Sequence, residues 1–274
     1  WIYLSYSSDL ENDGLGGNTT IMRAQLKNNT LENKEVLYKA TPNTKKGQHF
    51  GSRIIFDKNG YLYFTIGDRG NRDELPQDIT KDAGKIYRLN DDGRIPNDNP
   101  FVGEKDAKSA IYSYGHRNPQ GMALHPQTGK IWTHEHGPQG GDEINIIQKG
   151  KNYGWPVVSF GINYDNSTFT DKTTMDGVTD PIHYWVPSIA PSGMTFITGD
   201  KYPNWKGNLL VGSLKFQYLN RCVLENNKVV KEEKLLEDLG RVRSVKQAPD
   251  GYIYVGIENK GIVKIIQNNN TNKF

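Results

Sequence analysis

The chain has 274 residues, of which 35% are hydrophobic, and this length suits one large all-β domain or two smaller domains. Its 15 tyrosines, five tryptophans and 29 glycines favour strands and turns over a helical bundle, and its single cysteine excludes an internal disulfide framework. A formal net charge of +3 without a basic run argues against a nucleic-acid partner, and no apolar run reaches the roughly 18 residues of a membrane-spanning helix.

The first elements of the chain form an incomplete unit. Residues 1–6 read as the middle of a strand with no turn or cap before them, and residues 21–26 and 35–38 continue a partial set of strands. We therefore expect that sequence upstream of this chain has been removed or was never included.

One hairpin unit then repeats along the chain. It consists of a strand, a turn that contains glycine, and a second apolar strand, and turns such as Asn59-Gly60 and Asp250-Gly251 are strong hairpin signals. The four copies cover residues 54–66, 122–132, 194–212 and 245–255, and residues 85–89, 219–224 and 262–266 read as outer strands. Repeated four-stranded units predict an all-β fold of the β-propeller type, with a β-sandwich as the alternative.

The chemically capable residues lie at the ends of these hairpins, opposite the turns. Because a hairpin begins and ends on the same side, a ring of hairpins would bring these residues to one mouth of a central channel, where a polar pocket is expected. They are His49, Arg117 with Asn118, and Arg241 with Arg243 where hairpins begin, and Asp68, Glu135, Lys215 and Glu258 where hairpins end.

Each of these residues has a structural as well as a functional interpretation. His49 is either a proton acceptor or a structural hydrogen bonder in a loop. Arg117 and Asn118 suit a planar oxygenated anion, but they could equally tie neighbouring units together through backbone carbonyls.

The two arginines near the end of the chain share one strand face. Arg241 and Arg243 alternate around Val242, so they repel each other unless an anion or neighbouring carboxylates lie between them. A bound anion and ion pairing within the protein are both open interpretations, and Lys215 alone adds little to either.

A Gly-Pro-rich turn at residues 137–141 leads into the adjacent carboxylates Asp142 and Glu143. Such a turn can direct backbone carbonyls and carboxylates at one hard cation, as Ca²⁺ requires. His134 and His136 could also be metal ligands, but no third histidine or cysteine lies at zinc spacing. The sequence therefore favours a calcium-type site for this turn.

Eight motifs in order along nearly the whole chain carry a resemblance. They occupy residues 47–53, 65–68, 115–121, 135–145, 152–156, 188–193, 212–215 and 241–243. In these motifs the chain resembles the soluble glucose/sorbosone dehydrogenase family, specifically the aldose sugar dehydrogenases that use pyrroloquinoline quinone (PQQ).

The resemblance implies a six-bladed β-propeller with PQQ over its central channel and Ca²⁺ beside the quinone. By match, His49 is expected to be the catalytic base. The expected PQQ contacts are Arg117, Asn118, Gln120, Lys215, Arg241 and Arg243. The expected calcium ligands are the carbonyls of Gly137 and Pro138 near PQQ, and Glu143 and Tyr153 at a site on the same loop.

Two departures from the family pattern shape these expectations. Gln48 precedes the histidine where the soluble glucose dehydrogenase branch has aspartate, which favours the broader aldose branch. Family members also begin with another blade's worth of sequence, including a glutamine near the cofactor. We therefore expect residues 1–266 to be a catalytic propeller that lacks its first blade, and residues 267–274 to be a polar tail.

The function that the resemblance implies is the oxidation of the anomeric carbon of aldoses to lactones. It also implies an external electron acceptor, a monomer or homodimer, and a periplasmic or secreted location. Two other functions stay open: a calcium-dependent hydrolase of the propeller lactonase type, and a non-catalytic binding propeller.

Overall fold

The computed structural model describes residues 1–9, 12 and 14–266, so the expected polar tail lies outside the described residues. The described residues form strands and one short 3-10 helix, Pro203–Trp205. No helix among them is long and apolar enough to cross a membrane. The strands are β1 Ile2–Ser8, β2 Asn18–Lys27, β3 Thr30–Lys39, β4 Ile54–Phe56, β5 Leu62–Ile66, β6 Lys85–Leu89, β7 Ile111–Tyr114, β8 Pro119–Leu124, β9 Ile131–Glu135, β10 Asp142–Ile147, β11 His183–Trp185, β12 Pro191–Phe196, β13 Leu209–Ser213, β14 Leu219–Glu225, β15 Lys228–Leu235, β16 Val242–Gln247, β17 Ile253–Ile257 and β18 Gly261–Ile265.

The strands form five antiparallel sheets that follow one another in chain order. The first sheet contains β1–β3, the second β4–β7, the third β8–β11, the fourth β12–β15 and the fifth β16–β18. The four predicted hairpins are confirmed as β4–β5, β8–β9, β12–β13 and β16–β17, and the fold is an all-β propeller. The expected count of six blades is wrong for this chain, because its described strands suffice for five sheets.

Four separate apolar cores hold consecutive sheets together. The alternation of side chains along each strand sends successive residues to opposite faces, so a central sheet buries both faces. In β5, for example, Leu62 and Phe64 pack towards the first sheet, whereas Tyr63 packs towards the third. The third and fourth sheets share a core around Trp132 and Phe196, and the fourth and fifth share a core around Leu210 and Val255.

The first strand of each later sheet lies nearest the centre. Strand β8 packs against β4 and β12, and β12 packs against β16, so these inner strands surround a channel. Their hairpin turns lie at one end of it, as at Asp57, whose carboxylate accepts from the backbone N–H groups of Asn59 and Tyr61. The segments that precede the inner strands therefore meet at the opposite end, which is the predicted mouth.

The three strands of the first sheet correspond to the second, third and fourth strands of a four-stranded sheet. Its last turn places Asn28 and Asn29 at φ 47° and 61°, and the turn between β14 and β15 places Asn226 and Asn227 at φ 50° and 61°. Because β2–β3 therefore corresponds to β14–β15, β1 corresponds to β13, a second strand. None of the described residues fills the inner position of the first sheet, and none of the extensive strand contacts joins the fifth sheet to the first.

Candidate active site

Three inner strands carry a β-bulge at the end that faces the mouth. The pairing skips one residue in β8, β12 and β16, and the unpaired residues are Gln120, Gly193 and Arg243. A bulge changes the direction of the side chain it carries and releases its backbone groups from the ladder. Two of the three bulged residues, Gln120 and Arg243, are among the expected cofactor contacts.

His49 stands at the mouth on a strained backbone. Its φ of 55° lies in the left-handed region, which non-glycine residues adopt mainly where the surroundings enforce it. Its ring Nδ1 lies 2.6 Å from Asp68 Oδ1, and its side chain is 18% exposed. Because Nδ1 is engaged by a carboxylate, the protonated nitrogen is Nδ1 and Nε2 is the acceptor.

Asp68 is a buried carboxylate that orients several groups at once. It is 1% exposed, accepts from the Gly70 backbone at 2.8 Å, and accepts from Trp155 Nε1 at 2.9 Å through its second oxygen. Burial alone would raise the pKa of Asp68, but the hydrogen bonds from His49 and Gly70 and the charge of Arg117 lower it below the ordinary value. Asp68 is therefore an anion at neutral pH that can hold the His49 ring.

Arg117 is held mainly by backbone carbonyls. It is 6% exposed, and its Nη1 donates to the carbonyls of His136 at 3.1 Å and Gly137 at 2.8 Å. Its guanidinium also lies 5.3 Å from the centre of the Trp155 ring. Asn118 is buried as well, and its Oδ1 accepts from Gly51 N at 3.2 Å. Both residues therefore serve as ties between loops, which is the structural interpretation that the sequence left open.

The Gly-Pro-rich turn is fixed by the carboxylate of Asp142. Asp142 accepts from Gly137 N at 2.8 Å, and from Ser188 Oγ at 2.6 Å and Ala190 N at 2.8 Å. Position 137 requires glycine, because a Cβ there would lie 2.0 Å from the Gly140 carbonyl oxygen. Pro138 follows it and is buried. Asp142 is thus occupied with holding the turn.

Glu143 and Tyr153 line one small cavity beneath this turn. The cavity also contacts Glu135, whose carboxylate accepts from His116 Nδ1 at 2.8 Å and from Arg117 N at 2.6 Å. Burial, and next the charge of Glu135, raise the pKa of Glu143 well above its ordinary value. The two carboxylates share one donor, because Asn145 Nδ2 donates to Glu135 Oε1 and to Glu143 Oε2, each at 3.2 Å.

Tyr153 contacts the cavity through its ring and backbone. Its hydroxyl donates to the carbonyl of Ile146 at 2.7 Å and accepts from Gln148 N at 2.9 Å, so it points away from Glu143. The ring stacks on His116 at a centroid distance of 4.7 Å. The structure therefore brings Glu143 and Tyr153 together, but it does not bring the phenol oxygen to Glu143.

Arg241 and Arg243 share one carboxylate at the rim of the mouth. Arg241 Nε lies 2.9 Å, and Arg243 Nη2 3.0 Å, from the same oxygen of Glu258, while Val242 is buried on the other face. Their side chains are 46% and 49% exposed. The pair is thus arranged to hold a carboxylate. Lys215 lies exposed at the end of β13, with its Nζ 5.2 Å from the Phe216 ring centre.

His136 lies close to the charged residues of the mouth. Burial lowers the pKa of His136 to about 4 against the hydrogen bond to the Pro191 carbonyl, and the charges of Arg117, His49 and Arg243 lower it further. His134 donates to the Gly193 carbonyl at 3.1 Å. Both histidines are bound to backbone carbonyls, and the described part of the chain has no group of three metal-ligating His, Cys, Asp or Glu side chains.

Sequence reasoning did not assign roles to several residues that organise this mouth. Asp68, Glu135 and Glu258 were placed at hairpin ends, but their partners became visible only in the tertiary structure. In the sequence, the one sign of their roles was that they lie inside, or close to, the short motifs that carry the candidate residues. Arg53, four residues after His49, was also missed, and it donates through Nη2 to the Arg243 carbonyl at 3.2 Å.

Comparisons with known proteins agree with this arrangement. The family model described as "Glucose / Sorbosone dehydrogenase" matches residues 1–265. The aldose sugar dehydrogenase YliI of Escherichia coli K12 is 42% identical over 259 residues, which cover 93% of this chain and 69% of that protein.

Solved structures of the same kind share the fold. A glucose dehydrogenase crystal structure has a TM-score of 0.93 at 40% identity, covering 97% of this chain and 78% of that chain. The PQQ-bound form of an aldose sugar dehydrogenase from Streptomyces coelicolor has a TM-score of 0.73 at 26% identity, covering 96% of this chain and 74% of that chain. Because a family model spans almost all of its residues and its relatives share both sequence and fold, this chain belongs to the glucose/sorbosone dehydrogenase family of oxidoreductases.

Proposed function

We propose that the protein oxidises the anomeric carbon of aldose sugars to lactones with PQQ as cofactor. The observation that carries the proposal is the carboxylate-binding pair Arg241 and Arg243, held at the same mouth as the paired His49 and Asp68. The first pair suits an anionic cofactor, and the second suits removal of a proton from a hydroxyl group.

The donor set at the mouth fits PQQ, which carries three carboxylates. Arg241 and Arg243 are half exposed and already hold the carboxylate of Glu258, so a carboxylate of the cofactor would compete for the same donors. We propose that Lys215 contributes a further cation, and that Gln120 and Asn118 contribute amide groups. Arg117 is proposed to act from the side of the Gly-Pro-rich turn, where its charge is held by two carbonyls.

His49 is proposed to act as the general base. Its Nε2 would accept the proton of the C1 hydroxyl while the carbon–oxygen double bond of the lactone forms. Asp68 would stabilise the resulting imidazolium through the 2.6 Å hydrogen bond to Nδ1, and it keeps Nε2 unprotonated beforehand. PQQ, when bound, supplies the acceptor for the two electrons that leave with the C1 hydrogen.

Ca²⁺ is proposed to bind beneath the Gly-Pro-rich turn. The donor that best suits the ion is Glu143, a carboxylate with a raised pKa that lines the same small cavity as Glu135 and would exchange its bond from the Asn145 amide for the ion. Because the hydroxyl of Tyr153 is engaged elsewhere, we propose that Tyr153 would contribute its backbone carbonyl. A second ion bound by the carbonyls of Gly137 and Pro138 would have to share the Gly137 oxygen with Arg117.

The alternative of a lactonase-type hydrolase has less support. Such a site needs several carboxylates or amides around a calcium ion in the channel, but the groups at this mouth are mainly cationic. Across the described ranges no three metal-ligating side chains converge in this way. A non-catalytic binding propeller would not need the strained His49 backbone or its bond to Asp68.

The test is dye reduction by the purified protein with a panel of aldoses, with PQQ and Ca²⁺ added separately and together. We expect turnover only with PQQ present. His49→Ala should bind PQQ as the wild type does but lose about 10²–10⁴-fold in turnover. Turnover within a few-fold of wild type would show that another group accepts the proton. The physiological electron acceptor is external on this proposal, and a periplasmic or secreted location is testable by cell fractionation.

A further inference from the structure

The bulges in the inner strands release backbone carbonyls that need partners. Gln120, Gly193 and Arg243 each fall between two paired residues, so their carbonyls lie outside the regular ladder. A buried carbonyl without a partner is costly, and nearly all such groups are satisfied in folded proteins. The groups that satisfy these three carbonyls therefore decide how the bulges are held.

One side chain donates to two of the three. Arg53 donates through Nε to the carbonyl of Gln120 and through Nη2 to the carbonyl of Arg243 at 3.2 Å, and the Arg243 carbonyl also accepts from Ser192 Oγ at 2.8 Å. The third carbonyl, of Gly193, accepts from His134 Nε2 at 3.1 Å. Arg53 immediately precedes β4 of the second sheet, so its guanidinium joins the second, third and fifth sheets across the channel.

Arg53 carries a positive charge without a carboxylate partner. Among the described residues no ion pair involves Arg53, and its backbone is held separately by Thr65 at 3.1 Å. Burial lowers its pKa, since no neighbouring carboxylate compensates for the loss of water. Its guanidinium is half-buried, and its two carbonyl partners leave the positive charge without a counter-charge.

The position of Arg53 in the channel determines what this charge can act on. Below it, towards the hairpin turns, lies an open cavity of about 700 Å³ whose wall includes Ile54, Met122 and Met194 as well as the polar Lys246 and Gln247. Above it, towards the mouth, lie the cations expected to hold an anionic cofactor. Arg53 thus lies between the lower channel and the mouth, where its charge would favour a bound anion.

We propose that Arg53 is a positioning residue for the cofactor site. It helps to fix the two bulges that present Gln120 and Arg243 to the mouth, and it adds a half-buried positive charge beneath the anion. The electrostatic part rests on the proposed function, whereas the positioning of the two bulges does not depend on PQQ.

The test compares Arg53→Met and Arg53→Lys with wild type, and uses Arg88→Met as the matched control. Arg88 is a buried arginine of the second sheet that pairs with Asp98, away from the mouth. Two measurements are made: amide hydrogen exchange of the protein without PQQ, and the Kd for PQQ from an absorbance titration with Ca²⁺ present.

We expect Arg53→Met to speed exchange in residues 120–122 and 242–245 and to raise the Kd for PQQ by about ten-fold or more. Arg53→Lys should give an intermediate Kd, because it keeps the charge but not the two-armed geometry. Arg88→Met should lower the melting temperature without either effect.

Wild-type exchange in both segments of Arg53→Met would overturn the positioning role, whatever the Kd. Faster exchange with an unchanged Kd would show a structural arginine and would also overturn the proposal. If the wild-type protein itself does not bind PQQ, the proposed function fails, and the exchange result alone then decides whether Arg53 holds the bulges.

Discussion

At the scale of single residues, the bond between His49 and Asp68 determines most of what the mouth can do. Asp68→Asn would replace a carboxylate whose Oδ1 accepts from His49 and whose Oδ2 accepts from Trp155 with an amide that must present its NH₂ group to one of these two donors. We expect turnover to fall by about 10²–10⁴-fold while PQQ binding stays within a few-fold. Steady-state kinetics and a PQQ titration on the same preparation separate the two effects.

The same substitution changes the acid stability. The folded pKa of Asp68 is below the ordinary 3.8, so its ionised form stabilises the fold above that value and the contribution is lost as pH falls through the folded pKa. Thermal melts between pH 6 and 3 should therefore show a smaller acid-induced decrease for Asp68→Asn than for wild type. If the melting temperatures of the two proteins fell equally with pH, Asp68 would not be the source of this acid sensitivity.

Glu143 should make stability depend on pH and Ca²⁺ together. Its folded pKa is raised above the ordinary 4.5, so without metal its ionisation destabilises the fold as pH rises from about that value towards the folded pKa. Because Ca²⁺ binds the ionised carboxylate, the added ion should raise the melting temperature more at pH 8 than at pH 5. The readout is a melt series with Ca²⁺ or with chelator.

The variant Glu143→Gln should abolish that calcium-dependent increase, whereas the exposed Glu104→Gln should retain it. An increase of the same size at both pH values, or one that survives in Glu143→Gln, would place the ion elsewhere.

At the scale of elements, the bulges connect packing to the site. Gly193 has a φ of 66°, and a Cβ there would lie 2.8 Å from the Ser244 Cα, next to the bulged Arg243 of β16. Gly193→Ala should therefore cost about 2 kcal/mol or more in unfolding free energy and weaken PQQ binding, since it displaces the strand that carries Arg243. Urea unfolding and a PQQ titration measure the two effects.

Gly207 provides the control, because its φ is 84° but a Cβ there meets nothing within 4 Å. Gly207→Ala should cost only the backbone strain, about 1–2 kcal/mol, and should leave the Kd for PQQ unchanged. Equal loss of PQQ affinity in both variants would show that displacement of the bulged strand does not affect the mouth.

At the scale of the whole molecule, ligand binding should raise the unfolding free energy and the melting temperature. An anion held by residues from several sheets links their cores, and a ligand at 100 times its Kd adds about 2.7 kcal/mol to unfolding free energy. For a chain of this size that corresponds to a rise of roughly 5–10 °C in melting temperature with PQQ and Ca²⁺. The trimethyl ester of PQQ, which lacks the three charges, should produce little shift. An equal shift with the ester would exclude the cationic mouth as the binding site.

The hairpins and their common mouth follow from the sequence alone. Local turn chemistry at Asn59-Gly60 and Asp250-Gly251, together with strict alternation of apolar residues, depends on near neighbours only and so can be read directly. For the same reason His49, Arg117 and Arg243 could be assigned to one end of the channel, because a hairpin returns to the side on which it began.

The tertiary structure decided what each of these residues contacts. Glu258 lies between Arg241 and Arg243 because β16 and β17 are paired, so the two arginines share one face as the sequence predicted and a carboxylate of the protein itself lies between them. The number of sheets, the bond from Asp68 to His49 and the reach of Arg53 across the channel depend on strands far apart in the chain. Such contacts follow from how whole sheets pack, and no local pattern of residue types specifies them.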